Sequence, residues 1–320
     1  MKLWNGEYFC NRDRPLSFHW RAGNAAWINS IGLPVARSKN DEIARSSIVI
    51  EAVLAHRINP GWWTSYSRNR NFYTDQQRYK GTAYTYGNVT RSVDQLAALE
   101  LLEHQKAVSN GPSGWQSRFR ATPSLIVAVP VLDLVFDPYE LIRLKDANGR
   151  LIDYRDTEAT RQARHTLRAI NEGLRSIHVD VVAQGIQRDG HLIRCRTKSG
   201  DEAVVSPAMQ TLYRVFNRGR FTLGGRAYGG WWQGLPKFYR AHIQINGEAT
   251  CEHDFEQLHP RLLYGLAGKM LEADAYTIPG WERKLGKLAF NILLNAETHS
   301  QAVGALADKI GGNDARQKAV

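Results

Sequence analysis

Between Tyr213 and Arg240 the chain reads YRVFNRGRFTLGGRAYGGWWQGLPKFYR, a stretch with six basic residues, six glycines and no acid. Any fold built on it must accommodate six cations that no local carboxylate neutralises. The glycines let the backbone approach a ligand closely, and Tyr228, Trp231 and Trp232 stand among them. Guanidinium groups neutralise phosphates while aromatic faces stack on bases, so the pattern predicts contact with nucleic acid or a nucleotide through Arg220, Arg226, Trp231 and Trp232.

Composition points the same way. The 320 residues are 43% hydrophobic and 23% charged, enough for a sizeable core and a division into two domains, which excludes whole-chain disorder. A net charge of +11 and a pI near 9.6 favour a polyanionic partner. Arg supplies 30 of the 42 basic residues; Arg suits bidentate phosphate contacts, although a GC-rich genome gives the same enrichment. Cys10, Cys195 and Cys251 lie far apart without ligand spacing, so neither a disulfide framework nor a thiolate zinc site is expected, and a reducing cytoplasm fits. No apolar run approaches the roughly 20 residues of a membrane helix. The start MKLWNGEYFCNRDRP lacks the apolar region of a secretory signal, so a cytoplasmic protein without membrane contact is expected.

Along the chain, Asn40–His56 has the spacing of an amphipathic helix capped by Asn40 or Asp41 and ended by Asn59-Pro60-Gly61. A basic-aromatic segment follows, with Arg57, Arg68, Arg70, Arg78, Lys80 and Arg91 against the single acid Asp75. It reads either as a nucleic-acid surface or as a solvated loop with a few core aromatics. A second helix over Thr90–Gln105 and a basic hairpin over Val108–Thr122, carrying Arg118, complete the order of a winged helix-turn-helix. Residues 114–132 read as a strand pair and Pro123–Pro138 as strand and linker. Beyond these come a hairpin over residues 141–156 turning at Asn148-Gly149, an amphipathic helix over Thr160–Ser176, and strands at HVDVV, HLIRCRT and EAVVSP. The expectation is an α+β protein with a winged-helix-like nucleic-acid-binding domain over residues 1–135 and a second domain over 136–320.

Two elements near the C-terminal end carry chemistry. EATCEHD predicts a strand that runs into a helix, with Asp254 at the junction; a carboxylate there is either a Mg²⁺ ligand or a helix cap. Downstream, WERKLGKLAFNILLNA puts Arg283, Lys287, Asn291 and Asn295 at steps of four, a polar rail opposite Leu285, Leu288 and Ile292. Arg and Lys one turn apart suit a triphosphate, and a solvated basic face has the same pattern.

These residues resemble the palm and fingers of family A DNA polymerases, the bacterial DNA polymerase I type, and more distantly the single-subunit phage RNA polymerases. Asp254-Phe255-Glu256-Gln257-Leu258-His259-Pro260-Arg261 matches the Asp, aromatic, Gln, aliphatic and Arg positions of the family's first palm motif, Asp-Tyr-Ser-Gln-Ile-Glu-Leu-Arg. Arg283 and Lys287 match its fingers helix, and Gly219-Arg220-Phe221 and Trp232-Gln233-Gly234-Leu235-Pro236 are similar to two upstream elements. The resemblance covers roughly Val215–Ala296. It implies a palm with a fingers helix, in which Asp254 holds Mg²⁺, Arg283 and Lys287 bind the triphosphate, and Lys287 protonates the leaving pyrophosphate. Two metals would clamp the attacking hydroxyl and the leaving oxygen. Asn291 and Asn295 stand where the family has aromatics, and His259 stands where it has a sugar-screening Glu. The third motif, a His-Asp hairpin supplying a second metal carboxylate, does not follow Ala296; Glu252, Asp308 and Asp314 are local substitutes. Ser300–Val320 ends without a closing strand, so a longer natural chain is expected rather than a degenerate site.

The expected function is Mg²⁺-dependent, template-directed nucleotidyl transfer, or descent from it, on DNA with nucleoside triphosphates. The rival is a non-catalytic DNA-binding replication initiator or regulator of a mobile element. An RNA binder that uses aromatic stacking is a third reading.

Overall fold

A computed structural model describes residues 2–4, 7–9, 13–22, 26–107, 116–129 and 134–310. The fold is mixed, with helices and open sheets in an α+β arrangement. Backbone proximity divides the chain into two compact units, Met1–Cys251 and Glu252–Val320. The break therefore falls at Cys251/Glu252 and not near residue 135. The reason lies in the core of the first unit, which runs from Leu16 to Phe136 and also takes in Leu192, with Val204, Met209 and Tyr213 packed against it.

In chain order the first half contains β1 (Lys2–Trp4), β2 (Glu7–Phe9), β3 (Arg14–Pro15), β4 (Trp20–Ala22), α1 (Lys39–Ile58), β5 (Thr64–Tyr66), α2 (Arg70–Thr74), α3 (Gln77–Lys80), α4 (Tyr86–Ala98), β6 (Leu102–Gln105), β7 (Ser117–Ala121), α5 (Pro123–Ala128) and β8 (Leu134–Phe136). Its main sheet has the order β3-β5-β7-β6, with β5, β7 and β6 antiparallel. Helix α1 is the predicted first helix, but its cap is Ser38, whose hydroxyl accepts from the Asp41 N–H at 3.3 Å. Asp41 instead sits in the first turn and pairs with Arg45 at 3.1 Å. The helix expected over Thr90–Gln105 begins earlier, at the Thr85 cap, and stops at Ala98. Glu100 takes a left-handed conformation, and Leu102 to Gln105 then pair with Ala121 to Arg118, so ladder bonds replace helical ones. Of the hairpin expected over Val108–Thr122 only β7 is seen as a strand, and its partner β6 comes from the end of the expected helix; residues 108–115 lie outside those described. Strand was expected after Thr122, yet Pro123 occupies the first turn of α5 with Thr122 as the side-chain cap, a position where its missing N–H has no cost.

The rest of the first unit contains β9 (Ile142–Leu144), α6 (Glu158–Arg175), β10 (Val179–Val181), β11 (Gln187–Asp189), β12 (Leu192–Arg196), β13 (Glu202–Val205), β14 (Tyr213–Asn217), β15 (Arg220–Tyr228), α7 (Lys237–Arg240), β16 (Ile243–Ile245) and β17 (Glu248–Ala249). The turn at Asn148-Gly149 forms as expected, held by Asp146 Oδ1, which accepts from the Asn148 and Arg150 N–H groups at 2.9 and 2.8 Å. Its second arm is only a bridge between Lys145 and Leu151, because β9 pairs in parallel with β14 instead. The basic glycine-rich stretch folds as the hairpin β14–β15, with β15 at the edge of its sheet, followed by a 3-10 turn over Trp231–Gly234. Helix α6 buries Leu167 against Ile142, Leu144 and Phe216. Its Asn171 exchanges hydrogen bonds of 2.9 and 2.8 Å with the Leu212 backbone.

The second unit contains α8 (Leu258–Leu266), α9 (Arg283–Asn295) and α10 (His299–Ile310). The strand expected over EATCEHD is limited to β17, where Glu248 and Ala249 pair with Ile245 and Gln244. Asp254 follows in irregular backbone just before α8. No helix among the described residues is long and apolar enough to cross a membrane.

Glu51 of α1 is fully buried 3.6 Å from the Arg14 guanidinium. Burial pushes its carboxyl up to about 7, and Arg14 only partly opposes this. A carboxyl with a raised folded pKa binds more protons in the folded state, so its effect on stability turns unfavourable as pH rises from its ordinary value to about 7. Glu51→Gln should flatten that decline, which denaturant titrations of both proteins at acidic and neutral pH will read; parallel curves would refute it.

Candidate functional site

Helix α9 presents Arg283, Lys287 and Asn291 along one face, and these three line a cavity of about 400 Å³ within the second unit. Asp254, Glu256 and His259, from the approach to α8 and its first turn, line the same cavity together with Tyr276. A structural glycine brings the two sides together. A Cβ on Gly286 would lie 2.1 Å from the Tyr276 carbonyl oxygen, so only glycine lets α9 seat against that segment. The Tyr276 ring is buried and meets Phe290 edge-on at 5.6 Å. On the opposite wall Gln257, left-handed at the start of α8, accepts from the Ala275 N–H at 2.7 Å. The α8 and Tyr276 segments are thereby tied directly.

The charges in this cavity differ in how they are held. The Arg283 guanidinium is ion-paired with Asp274 and lies 5.4 Å from the Tyr276 ring centre. The Arg283 hydrogen bond holds the Asp274 carboxyl below its usual range and raises the guanidinium in return. Lys287 lies 5.9 Å from the same ring and has no carboxylate partner among the described residues. The carboxylates of Asp254 and Glu256 are exposed, two positions apart, and make no side-chain ion pair there. Two exposed carboxylates, an ammonium and a guanidinium on the walls of one cavity offer polar groups of both signs, a donor set that could take a phosphate-bearing ligand together with a divalent cation.

Five residues picked out by the sequence therefore meet: Asp254, His259, Arg283, Lys287 and Asn291. Asn295 does not join them, because it lies one turn beyond the cavity with its amide donated to the Asn291 carbonyl at 2.7 Å. Of the substitute carboxylates, Glu252 and Asp308 do not line the cavity, and Asp314 lies outside the described residues. Among the described residues no group of three or more His, Cys, Asp or Glu side chains is placed to hold a metal. Glu256, Tyr276 and Asp274 escaped the sequence reading. Gly286 was the available signal, since a glycine inside a helical pattern marks close backbone approach.

The expected nucleic-acid residues divide into two groups. Arg220 and Arg226 are exposed on β15, with no side-chain partner among the described residues. Arg70 is also exposed, 5.2 Å from the Tyr86 ring. The others are tied into the fold. Arg68 makes paired hydrogen bonds of 2.9 and 2.8 Å with Asp94, and Arg91 reaches Asn88 at 3.3 Å and Asp41 at 4.0 Å. Arg118 is buried, 2.8 Å from Gln105 Oε1 and 4.5 Å from the Trp63 ring centre. Trp231, expected as a stacking platform, is a core residue at 2% exposure, packed with Val179, Ile193 and Leu235. Trp232 is half-buried against that cluster. Apolar burial of the indole outweighed its availability to a base.

No protein-family model matches the chain, and neither the curated proteins nor the solved structures yielded a match.

Gly286→Ala should unseat α9 from Tyr276. Hydrogen exchange will read this as lost amide protection in α9 while α1 stays protected; unchanged exchange in α9 would show that the contact is dispensable.

Proposed function

We propose that this protein binds nucleic acid and that its second unit takes a nucleoside triphosphate with Mg²⁺, as a nucleotidyltransferase like the family A polymerases or a catalytically reduced relative. One observation carries the reading: Asp254, His259, Arg283, Lys287 and Asn291, selected by the polymerase resemblance, line one cavity. A solvated basic face would not bring them onto shared walls with two unpaired carboxylates.

The cavity's donors suit the cation that accompanies a triphosphate. Mg²⁺ takes most of its ligands from water and phosphate oxygens and needs only one or two carboxylates, which Asp254 and Glu256 provide. Bound there, the ion would neutralise part of the triphosphate charge. Lys287 would bind phosphate oxygens as a point charge and is the proton donor for a leaving pyrophosphate. Arg283 would exchange part of its contact with Asp274 for a bidentate phosphate contact. The donor set suits one such ion rather than the two-metal clamp.

A second reading, the non-catalytic DNA-binding initiator or regulator, is favoured by the first unit. The order α1, β5, α2, α3, α4, β6, β7 with strands arranged β5-β7-β6 would suit a winged helix, in which α4 would be the recognition helix. The two readings share DNA as partner and differ in the use of the triphosphate. The RNA-stacking reading loses its main support with Trp231 in the core.

Equilibrium binding of a labelled nucleoside triphosphate with Mg²⁺ and primed DNA separates these readings. Triphosphate binding should weaken about tenfold or more in Lys287→Ala, the loss of one charge-assisted contact, while DNA affinity stays unchanged. Tight DNA binding without triphosphate binding would leave the non-catalytic reading.

A further inference from the structure

The exposed side of α6 carries Arg161, His165, Arg168 and Arg175, none of which the triphosphate cavity uses. Beside it lies a separate cavity of about 380 Å³, lined by Arg164, Arg168, Glu172 and Arg175 of the helix and by Asp137 and Tyr139 of the segment after β8. The volume falls within the range of about 300 to 1,000 Å³ typical of small-ligand sites.

The charges of this cavity are not equally available. Arg164 is held by Glu140 at 2.9 Å and Asp156 at 2.8 Å. Arg175 pairs with Glu172 at 2.8 Å in an exposed contact of the kind that contributes little. Arg168 and Asp137 are exposed and have no side-chain partner among the described residues. Tyr139, 54% exposed, lines the same cavity as these two opposite charges. Its ring is nevertheless seated, because a Cβ on Gly81 would fall 2.5 Å from it, so the ring rests directly against glycine backbone. A seated ring with an open face costs little entropy when a planar group stacks on it.

From this arrangement we infer that the cavity holds one nucleotide of a single-stranded nucleic acid, its base stacked on Tyr139, its phosphate on Arg168, and its exocyclic amine donating to Asp137. A cation alone would attract any phosphate. The free carboxylate favours bases that offer an amine, since Asp accepts from cytosine N4 and repels carbonyl-edged thymine. Arg175 then serves the neighbouring phosphate, released from Glu172 at little loss. The inference rests on the proposal that the protein binds nucleic acid, and it adds a position and a base preference within the first unit.

Fluorescence anisotropy with labelled oligo(dC) and oligo(dT), each on the order of ten nucleotides, tests it. The wild-type chain should bind oligo(dC) more tightly. Tyr139→Ala should weaken that binding about tenfold, the loss of one stacked base, and Tyr139→Phe should restore it. Arg168→Glu should weaken both oligonucleotides and lower the salt slope by about one. Asp137→Asn should abolish the preference for oligo(dC) while retaining affinity. The double variant Arg220→Glu/Arg226→Glu, on the β14–β15 hairpin, is the control. If that variant weakens binding while the Tyr139 and Arg168 variants bind like wild type, the α6 site is wrong and the nucleic-acid reading stands. If the wild-type chain binds neither oligonucleotide, the nucleic-acid reading itself falls. Thermal melts of each variant show whether a loss of binding reflects unfolding.

Discussion

Helix α1 is enclosed on every side. From Ala44 to Ala55 its residues are buried, including the polar Arg45, Ser46, Ser47 and Glu51. A buried charge without a partner is expensive, so neighbouring elements must bring partners to α1. Arg45 takes Asp41 on its own helix and Gln95 from α4 at 3.1 Å. Ser47 donates to the Trp20 carbonyl at 2.9 Å, and Arg14 of β3 approaches Glu51. Packing and charge satisfaction thus set the same positions for β3, β4 and α4 around one helix. That agreement between levels distinguishes a single fold from a collapsed ensemble.

The same demand explains why arginines read as a nucleic-acid surface are engaged within the fold, Arg118 buried and Arg68 half-buried. Each sits in a stretch with few acids nearby in sequence, so both looked unpaired. Their partners Asp94 and Gln105 come from α4 and β6, and local charge counting cannot anticipate such pairings. What sequence alone made legible was periodicity. The helices α6 and α9 and the strands β10, β12 and β13 follow their apolar spacing closely, whereas α1, expected to be amphipathic, forms in its place but is buried all round. What it did not make legible was set by tertiary pairing: the end of α4 where Leu102 joins a ladder, the helix at Pro123, and the parallel partnership of β9 with β14.

The cavity beside α9 was legible for a different reason. Asp254, Arg283 and Lys287 stood out by residue type and spacing, and their meeting in one cavity depends on a glycine that could be read as a gap in a helical pattern. Tyr276 and Asp274 had no such signal, because their role is to seat and pair residues already identified. Trp231 shows the opposite error: aromatic residues between arginines were taken for a stacking surface, but an indole followed by Leu235 and Tyr239 had an apolar cluster to join. Tyr139, by contrast, has two acids close by in sequence, Asp137 and Glu140, yet it lines an exposed cavity with residues of α6.

Strand β15 is the outer strand of its sheet, nine residues long and exposed on both faces for much of its length. A long open edge of this kind is a template on which another polypeptide can add a strand. Arg220 and Arg226 place fixed charge along that edge, and register shifts around Phe216 break the regular ladder behind it. Charge fixed along an open edge disfavours strand addition by a second copy, because like charges would be brought face to face as the ladder formed. The two arginines therefore give the edge a property of its own, apart from any ligand: they make it a poor template for its own kind.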